Sequence, residues 1–362
     1  MAVAHALIVC TQTSGEGGVQ RFNRTLLDAC GQIGLSCDMY SMGDEGELAG
    51  SPVLKRIRDF RGRKLRFTLA TLMAIIGGRH DLILIAHVNY LILVAVALRL
   101  RLGRRPRVFL VAHGIDVWGN VRGLRRVALR AVTRILCVSH YTRDQLQLQA
   151  PEIPAARYSV FPNALSTAWV AQVPSAVPST LPERFIFSVT RLSRFDRYKG
   201  ICAVLEALAL LEDDQVHYVI AGDGDDRAFL QGCARQLGVM HRVHFLGAVT
   251  DQELLGLYSR CAAFVLPSGK EGFGIVYLEA MFFAAPIIAA AARGALDVVH
   301  HDETGLLVAY GDVLGLRDAI DRLLRDNGLR ERLTAGGRAL VTHGGAFTFE
   351  AFTTRWADLV KA

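Results

Sequence analysis

Two carboxylates, Glu271 and Glu279, are separated by seven residues in PSGKEGFGIVYLEAM (267–281), and Gly272-Phe273-Gly274 lies between them. An apolar run, AAFVLPS, precedes these glycines, and a helix is predicted to begin within them. The free N–H groups at a helix start carry partial positive charge and form a ready site for a diphosphate. Glycine lets the backbone approach such a ligand closely. On this reading Glu271 lies on the loop and faces a sugar. Glu279 sits about two turns into the helix, placed to accept hydrogen bonds from ribose hydroxyls. The spacing alone also describes two helix-surface carboxylates beside a loop glycine.

A second constellation is FIFSVTRLSRFDRYKG, which places Arg191 at a strand end and Lys199 at the start of the next helix. Two cations near a strand's carboxyl end suit a diphosphate leaving group, whose developing charge they stabilise. Taken singly, each is also an ordinary surface cation. In the first half of the chain, EGGVQRF (16–22) supplies Gly17 and Gly18 for a tight turn after the first strand. VAHGIDVWG (111–119) sets His113 at a strand end, followed by Gly114 and Asp116. A strand-end histidine is often structural, but this one is expected to open onto a cleft. SHYTRD places Ser139 and Thr142 at another helix start, most simply as caps.

Two other clusters imitate metal sites. Asp223-Gly224-Asp225-Asp226 follows strand HYVIAG directly, at a strand-to-helix turn where Gly and Asp serve turn and cap geometry. His300-His301-Asp302-Glu303 consists of adjacent side chains, which rarely converge on one ion. No metal is assigned to either.

The elements that must position these residues are alternating strand-like and helical runs, the pattern of parallel sheets built from βαβ units. Strand candidates in the first half are HALIVC, LILIAH, RVFLVAH, RILCVS and YSVFP. In the second half they are RFIFSVTRL, VHYVIAGDG, RVHFLG, AAFVLPS, PIIAAA and GLLVA. Ligands gather at the carboxyl ends of such strands. Residues 166–184 hold Pro174, Pro178 and Pro182 without helical or strand period, and read as a linker. The domains are therefore 1–165 and 185–345. The final segment, 346–362, is an amphipathic helix with Phe349, Phe352, Trp356 and Leu359 on one face.

The whole has 362 residues, 51% hydrophobic and 21% charged, which suits two packed domains and excludes a disordered chain. Seven scattered cysteines without a CxxC pair argue against a disulfide framework or zinc ribbon and for a reducing compartment. MAVAHALIVC reads as a strand, not a signal peptide. The apolar stretch 82–100 is interrupted by His87, Asn89 and Arg99, so it reads as strand plus helix, not as a membrane span. Residues 1–165 carry 22 Lys+Arg against 11 Asp+Glu, while the remainder carries 19 against 23. A basic first half suits an anionic partner, and ordinary solvated arginines account for part of the excess. Lys55–Phe67, mixing Arg and Lys with Leu and Phe, reads as a membrane-surface helix or a solvated one, with Gly62 interrupting it. No nucleic-acid reading motif accompanies the charge.

FPNAL, TRLSRFDRYKG, AGDGDD, VHFLGAVTDQEL and EGFGIVYLEAM, in this chain order, resemble the retaining glycosyltransferases of family 4, and the likeness covers nearly the whole chain. It implies an α/β fold of two Rossmann-like domains facing a cleft (GT-B), with the C-terminal helix crossing back to the first domain. It implies that Arg191 and Lys199 hold the donor diphosphate, and that Glu271 with the amides of Gly272, Phe273, Gly274 and Ile275 holds the donor sugar. Glu279 is then on the ribose, Gly17, Gly18 and Gly222 are on the donor side, His113 is beside the reacting sugar, and Asp116 is on the acceptor side. The HGIDVW and RYKG forms are most similar to bacterial mannosyltransferases of exopolysaccharide or lipid-linked oligosaccharide synthesis. The expectation is therefore a hexosyl transfer, with mannose from GDP-mannose, to a lipid-linked or oligosaccharide acceptor in cell-surface polysaccharide synthesis. It is metal-independent and retaining, with same-face attack assisted by the leaving phosphate and no cofactor beyond the nucleotide sugar. Expected partners include an anionic membrane surface and no nucleic acid, and the expected location is cytoplasmic or peripheral on the inner membrane face. The alternatives are a UDP-sugar-dependent transferase of the same fold and a catalytically silent sugar-nucleotide scaffold. A phosphorylase, an epimerase and an oxidoreductase fit less well, since GDGDDRAF does not match GxGxxG.

Overall fold

A computed structural model describes residues 5–15, 17–43, 54–175 and 181–362. They divide into two compact units, 1–166 with 347–362, and 167–346. The first unit holds β1 (His5–Cys10), α1 (Gly18–Gln32), β2 (Ser36–Ser41), β3 (Leu54–Asp59), α2 (Lys64–Ile76), β4 (Leu82–Ile85) and α3 (Leu91–Leu100). It continues with β5 (Arg107–Ala112), α4 (Leu124–Leu129), β6 (Arg134–Cys137), α5 (His140–Gln149) and β7 (Tyr158–Val160). All its strand pairs are parallel, in the order β3-β2-β1-β4-β5-β6-β7. Its central strands β4 and β5 are apolar apart from Arg107 at the start of β5, as burial on both faces requires.

The second unit runs α6 (Thr167–Val170), β8 (Phe185–Val189), α7 (Ile201–Ala209), β9 (His217–Ala221), α8 (Arg227–Gln236), β10 (Val243–Gly247) and α9 (Asp251–Arg260). It ends with β11 (Ala263–Leu266), α10 (Ile275–Phe282), β12 (Ile287–Ala290), β13 (Leu306–Val308), α11 (Val313–Arg325) and α12 (Asn327–Val341). Its parallel sheet is ordered β10-β9-β8-β11-β12-β13. Each sheet reverses its strand order once, between β1 and β4 and between β8 and β11. Those reversals are where doubly wound sheets open a crevice at their carboxyl edge.

The last helix, α13 (Phe349–Lys361), returns to the first unit. Phe352 meets Phe22 of α1 and Phe161, with ring centroids 5.8 and 4.6 Å away, and Trp356 meets Phe109. The Arg107 guanidinium donates to the carbonyls of Leu359 and Val360, satisfying acceptors that a helix end leaves open. Val360, rather than Leu359, completes the buried face.

Three expectations change. Lys55–Phe67 is not one helix: β3 occupies 54–59, Arg61 and Gly62 turn at positive φ, and α2 starts at Lys64. A charged edge strand is protected against pairing with other chains, and its charge pattern imitates a polar helix face. β2 and β3 were absent from the strand candidates, since SCDMYS and LKRIRD contain no apolar run. The linker reading lies partly outside the described residues, at 176–180. Its start is the helical turn α6, which buries Trp169 against Phe282 and Phe283. The stretch 82–100 divides into β4, a 3-10 turn and α3, and no helix among the described residues is long and apolar enough to cross a membrane.

Candidate active site

In the second unit the expected residues collect at the carboxyl edge around the β8–β11 reversal. Arg191 follows β8, and Ser193 caps a 3-10 turn, 194–199, that delivers Lys199. After β11 the chain runs through Glu271 to Gly274, which caps α10 in the left-handed region. Lys199 Nζ donates to both Glu271 oxygens, at 2.5 and 3.0 Å. Arg191 Nε donates to Asp196 Oδ2 at 2.6 Å, and the Tyr198 hydroxyl donates to Asp196 Oδ1 at 2.8 Å. Burial, the largest single influence, raises the Asp196 carboxyl, but these two hydrogen bonds together with the charges of Arg191 and Lys199 hold it below the usual range. The Arg191 side chain stays 75% exposed, so its remaining donors face solvent. The result is a fixed row of charge, Arg191–Asp196–Tyr198 and Lys199–Glu271, beside the N-terminus of α10.

Glu279 lies one turn into α10, not two, because the helix begins at Ile275 and not within the glycines. It is 1% exposed, and its Oε2 accepts from the Tyr258 hydroxyl of α9 at 3.0 Å. Gly222 closes β9 in an isolated bridge with Gly247. Its φ is 116°, and a Cβ there would stand 1.9 Å from the Thr190 carbonyl oxygen, so only glycine fits. Gly294 was not anticipated. Its N–H donates to the Glu271 carbonyl at 3.1 Å, and a Cβ would come 2.2 Å from the Gly272 oxygen. Asp196, Tyr198, Tyr258 and Gly294 are the residues that sequence reasoning missed here. Only Tyr198, inside the RYKG run, carried a readable signal.

The Asp223–Asp226 run forms the expected strand-to-helix turn, but Asp226, at the start of α8, makes no side-chain capping hydrogen bond. Asp223 accepts its neighbour's N–H at Gly224, Asp225 accepts from the Arg194 N–H, and Asp226 takes both arms of Arg197 at 2.8 and 2.6 Å. Residues 300–303 form a loop, with Thr304 Oγ1 accepting the His300 N–H. Neither run gathers its carboxylates on one point.

In the first unit, Gly17 caps α1 and Gly18 is its first residue, while Glu16 lies outside the described residues. His113 follows β5. Its Nε2 pairs with the Ala86 carbonyl oxygen at 2.9 Å, which makes Nε2 the protonated nitrogen and leaves Nδ1 as an acceptor. Phe22 packs edge-on against the ring at 5.1 Å. Burial lowers its pKa to about 4, so the imidazole is neutral at pH 7. Burial raises Asp116 to about 7, with the backbone amides of the 113–117 turn pulling the other way. His87, after β4, has the same strand-end signal as His113 but was read only as a polar interruption. Burial lowers its pKa too, and so does Arg125. Ser139 caps α5 by accepting the Thr142 N–H.

Residues 16–169 match the family model described as Glycosyltransferase Family 4, and residues 178–340 match the one described as Glycosyl transferases group 1. An uncharacterised glycosyltransferase of Methanocaldococcus jannaschii is 37% identical over 150 residues, 41% of this chain and 38% of the relative. The GDP-mannose-dependent alpha-(1-6)-phosphatidylinositol monomannoside mannosyltransferase of Mycobacterium tuberculosis is 29% identical over 286 residues, 74% of this chain and 73% of the relative. The crystal structure of Anabaena HepE in complex with UDP and glucose superposes with a TM-score of 0.80 at 20% identity, covering 98% of this chain and 99% of that one. The chain spans about half or less of the length of several curated relatives it matches.

Proposed function

The chain belongs to the family 4 glycosyltransferases, and from that premise we propose that it transfers a hexose, with retention, from a nucleotide diphosphate donor held by the second unit. The observation that carries this reading is the pairing of Lys199 with Glu271 beside the α10 N-terminus, in one row with Arg191. In this scheme the diphosphate lies against Arg191, Lys199 and the first amides of α10, where cations and a helix start neutralise the charge that grows as the donor bond breaks. Glu271 and the Gly272–Ile275 backbone hold the sugar. Glu279 takes the ribose, its carboxylate oriented by Tyr258. No metal ion is assigned a role, since the two cations supply the charge compensation. In the first unit His113, neutral and held by Ala86, keeps Nδ1 as a free acceptor for a substrate hydroxyl, and Asp116 is proposed to serve the acceptor.

GDP-mannose is the proposed donor, supported by the mycobacterial relative and by the HGIDVW and RYKG forms. UDP-glucose is its competitor, because the HepE structure holds UDP and glucose, although likeness at 20% identity speaks for the fold alone. The proposed acceptor is a lipid-linked glycan at a membrane surface. Leu65, Leu69, Met73 and Ile76 form one exposed stripe along α2, and Arg63, Lys64 and Arg66 are exposed at its start. The reading is tested by melting the purified protein with saturating GDP-mannose, UDP-glucose and the free diphosphates. A donor-specific rise supports it. If no nucleotide raises the melting temperature, the scaffold and transferase readings fall together.

A further inference from the structure

Three side chains outside the proposed reaction meet at the amino edge of the first sheet. His5 opens β1, Asp38 lies on β2, and His80 stands two residues before β4. These strands are neighbours in the order β2-β1-β4, and all run parallel. Their starts therefore share one edge, opposite the carboxyl edge that carries His113. His80 Nε2 lies 3.0 Å from Asp38 Oδ2, and His5 Nε2 lies 3.4 Å from the same oxygen. One ligand atom from each residue lies within 4.8 Å of the other two. The imidazoles stack, with centroids 4.9 Å apart and planes at 22°.

Two imidazoles and one carboxylate make a donor set that suits zinc. Ligand atoms about 2.0–2.1 Å from a tetrahedral zinc ion stand roughly 3.3 Å from one another. The two N···O separations bracket that value, and the two ring nitrogens stand within 4.8 Å of each other. Ser36 Oγ sits 2.9 Å from His5 Nδ1, the outer hydrogen bond that fixes the orientation of a ligating imidazole. The His80 side chain is 3% exposed and that of His5 21%, so the His5 side of the cluster is the more open to solvent. We propose that His5, Asp38 and His80 form a zinc site, with water as fourth ligand, that ties the starts of β1 and β2 to the segment entering β4. The site lies apart from the residues proposed to handle the donor.

The test uses untagged full-length protein, stripped with a chelator and dialysed, then titrated with zinc against a chromophoric competitor. One equivalent is expected to bind per chain and to raise the melting temperature. Asp38→Asn and His80→Gln are expected to abolish both effects, and Ser36→Ala to weaken binding by about 10-fold. Cobalt added to the stripped wild-type protein is expected to give the visible absorption of a tetrahedral site, which decides the matter even if the variants fold poorly. Absence of zinc binding at micromolar free metal overturns the proposal, as does binding that survives Asp38→Asn. Either result leaves the three side chains as a hydrogen-bonded cluster and does not touch the donor-site reading.

Discussion

Lys199 holds both oxygens of Glu271, 72 positions away in sequence, with side chains only 19% and 9% exposed. One residue follows β8 and the other follows β11, so the pair spans the reversal in strand order of the second sheet. A largely buried pair of this kind is costly to break from one side. Removing either partner strands a charge where water solvates it poorly.

Glu271→Gln and Lys199→Met are each expected to lower stability by about 1–3 kcal/mol, because each leaves a partner uncompensated. The double variant should be more stable than the sum of the two losses allows, with a coupling of roughly 0.5–3 kcal/mol. Urea unfolding of all four proteins measures this. Simple additivity would mean that the two side chains do not act as a unit.

Asp116 and His113 should give opposite stability slopes with pH. The Asp116 pKa is raised to about 7, so the fold favours its protonated form. Its contribution is full below the ordinary carboxylate value and is lost as pH rises through 7. The His113 pKa is lowered to about 4, so its contribution is intact at neutral pH and lost as pH falls from about 6.5 towards 4. Asp116→Asn should therefore stabilise the protein at pH 8, by on the order of 2 kcal/mol, and should gain stability as pH rises from 4 to 6.5. His113→Gln should lose stability over that range. Melting curves from pH 4 to 8 read both, and parallel curves for the two variants would contradict the assignment.

Gly294→Ala places a methyl where the Gly272 oxygen stands, and the loop carrying Glu271 has to shift. A displacement near 1 Å at a reacting group costs about 10²-fold in rate. Turnover should fall by that order while the fold, followed by circular dichroism, survives. Unchanged turnover would show that the 271–274 loop does not need its observed position.

The stripe on α2 is expected to bind vesicles containing anionic lipid. Leu65 and Met73 are 73% and 74% exposed. Leu69→Asp with Met73→Asp should reduce sedimentation with such vesicles about 10-fold or more and leave donor hydrolysis in detergent unchanged. Equal sedimentation of wild type and variant would remove α2 as the docking face.

Much of this arrangement was legible in the chain because parallel strands buried on both faces are written as apolar runs. All six strands of the second sheet and five of the seven in the first announce themselves that way. β2 and β3 do not, since one carries Asp38 in a polar cluster and the other is a charged edge. The site was legible where glycine, glutamate and lysine fall at fixed spacing after a strand. It was not legible at Asp196, Tyr258 or Gly294, whose roles depend on which segments the fold brings together. The depth of Glu279 in α10 was misjudged because a left-handed Gly274 delays the helix start to Ile275.

The central claim is that Lys199 and Glu271 serve a nucleotide-sugar donor. The direct measurement is release of nucleoside diphosphate from GDP-mannose by the purified protein, with and without a lipid extract as acceptor source. Wild type should release GDP faster with the extract, and Lys199→Ala and Glu271→Ala should each lower the rate by about 10²-fold or more. Release by the wild type that persists undiminished in both variants would contradict the account. So would the failure of every nucleotide sugar to turn over.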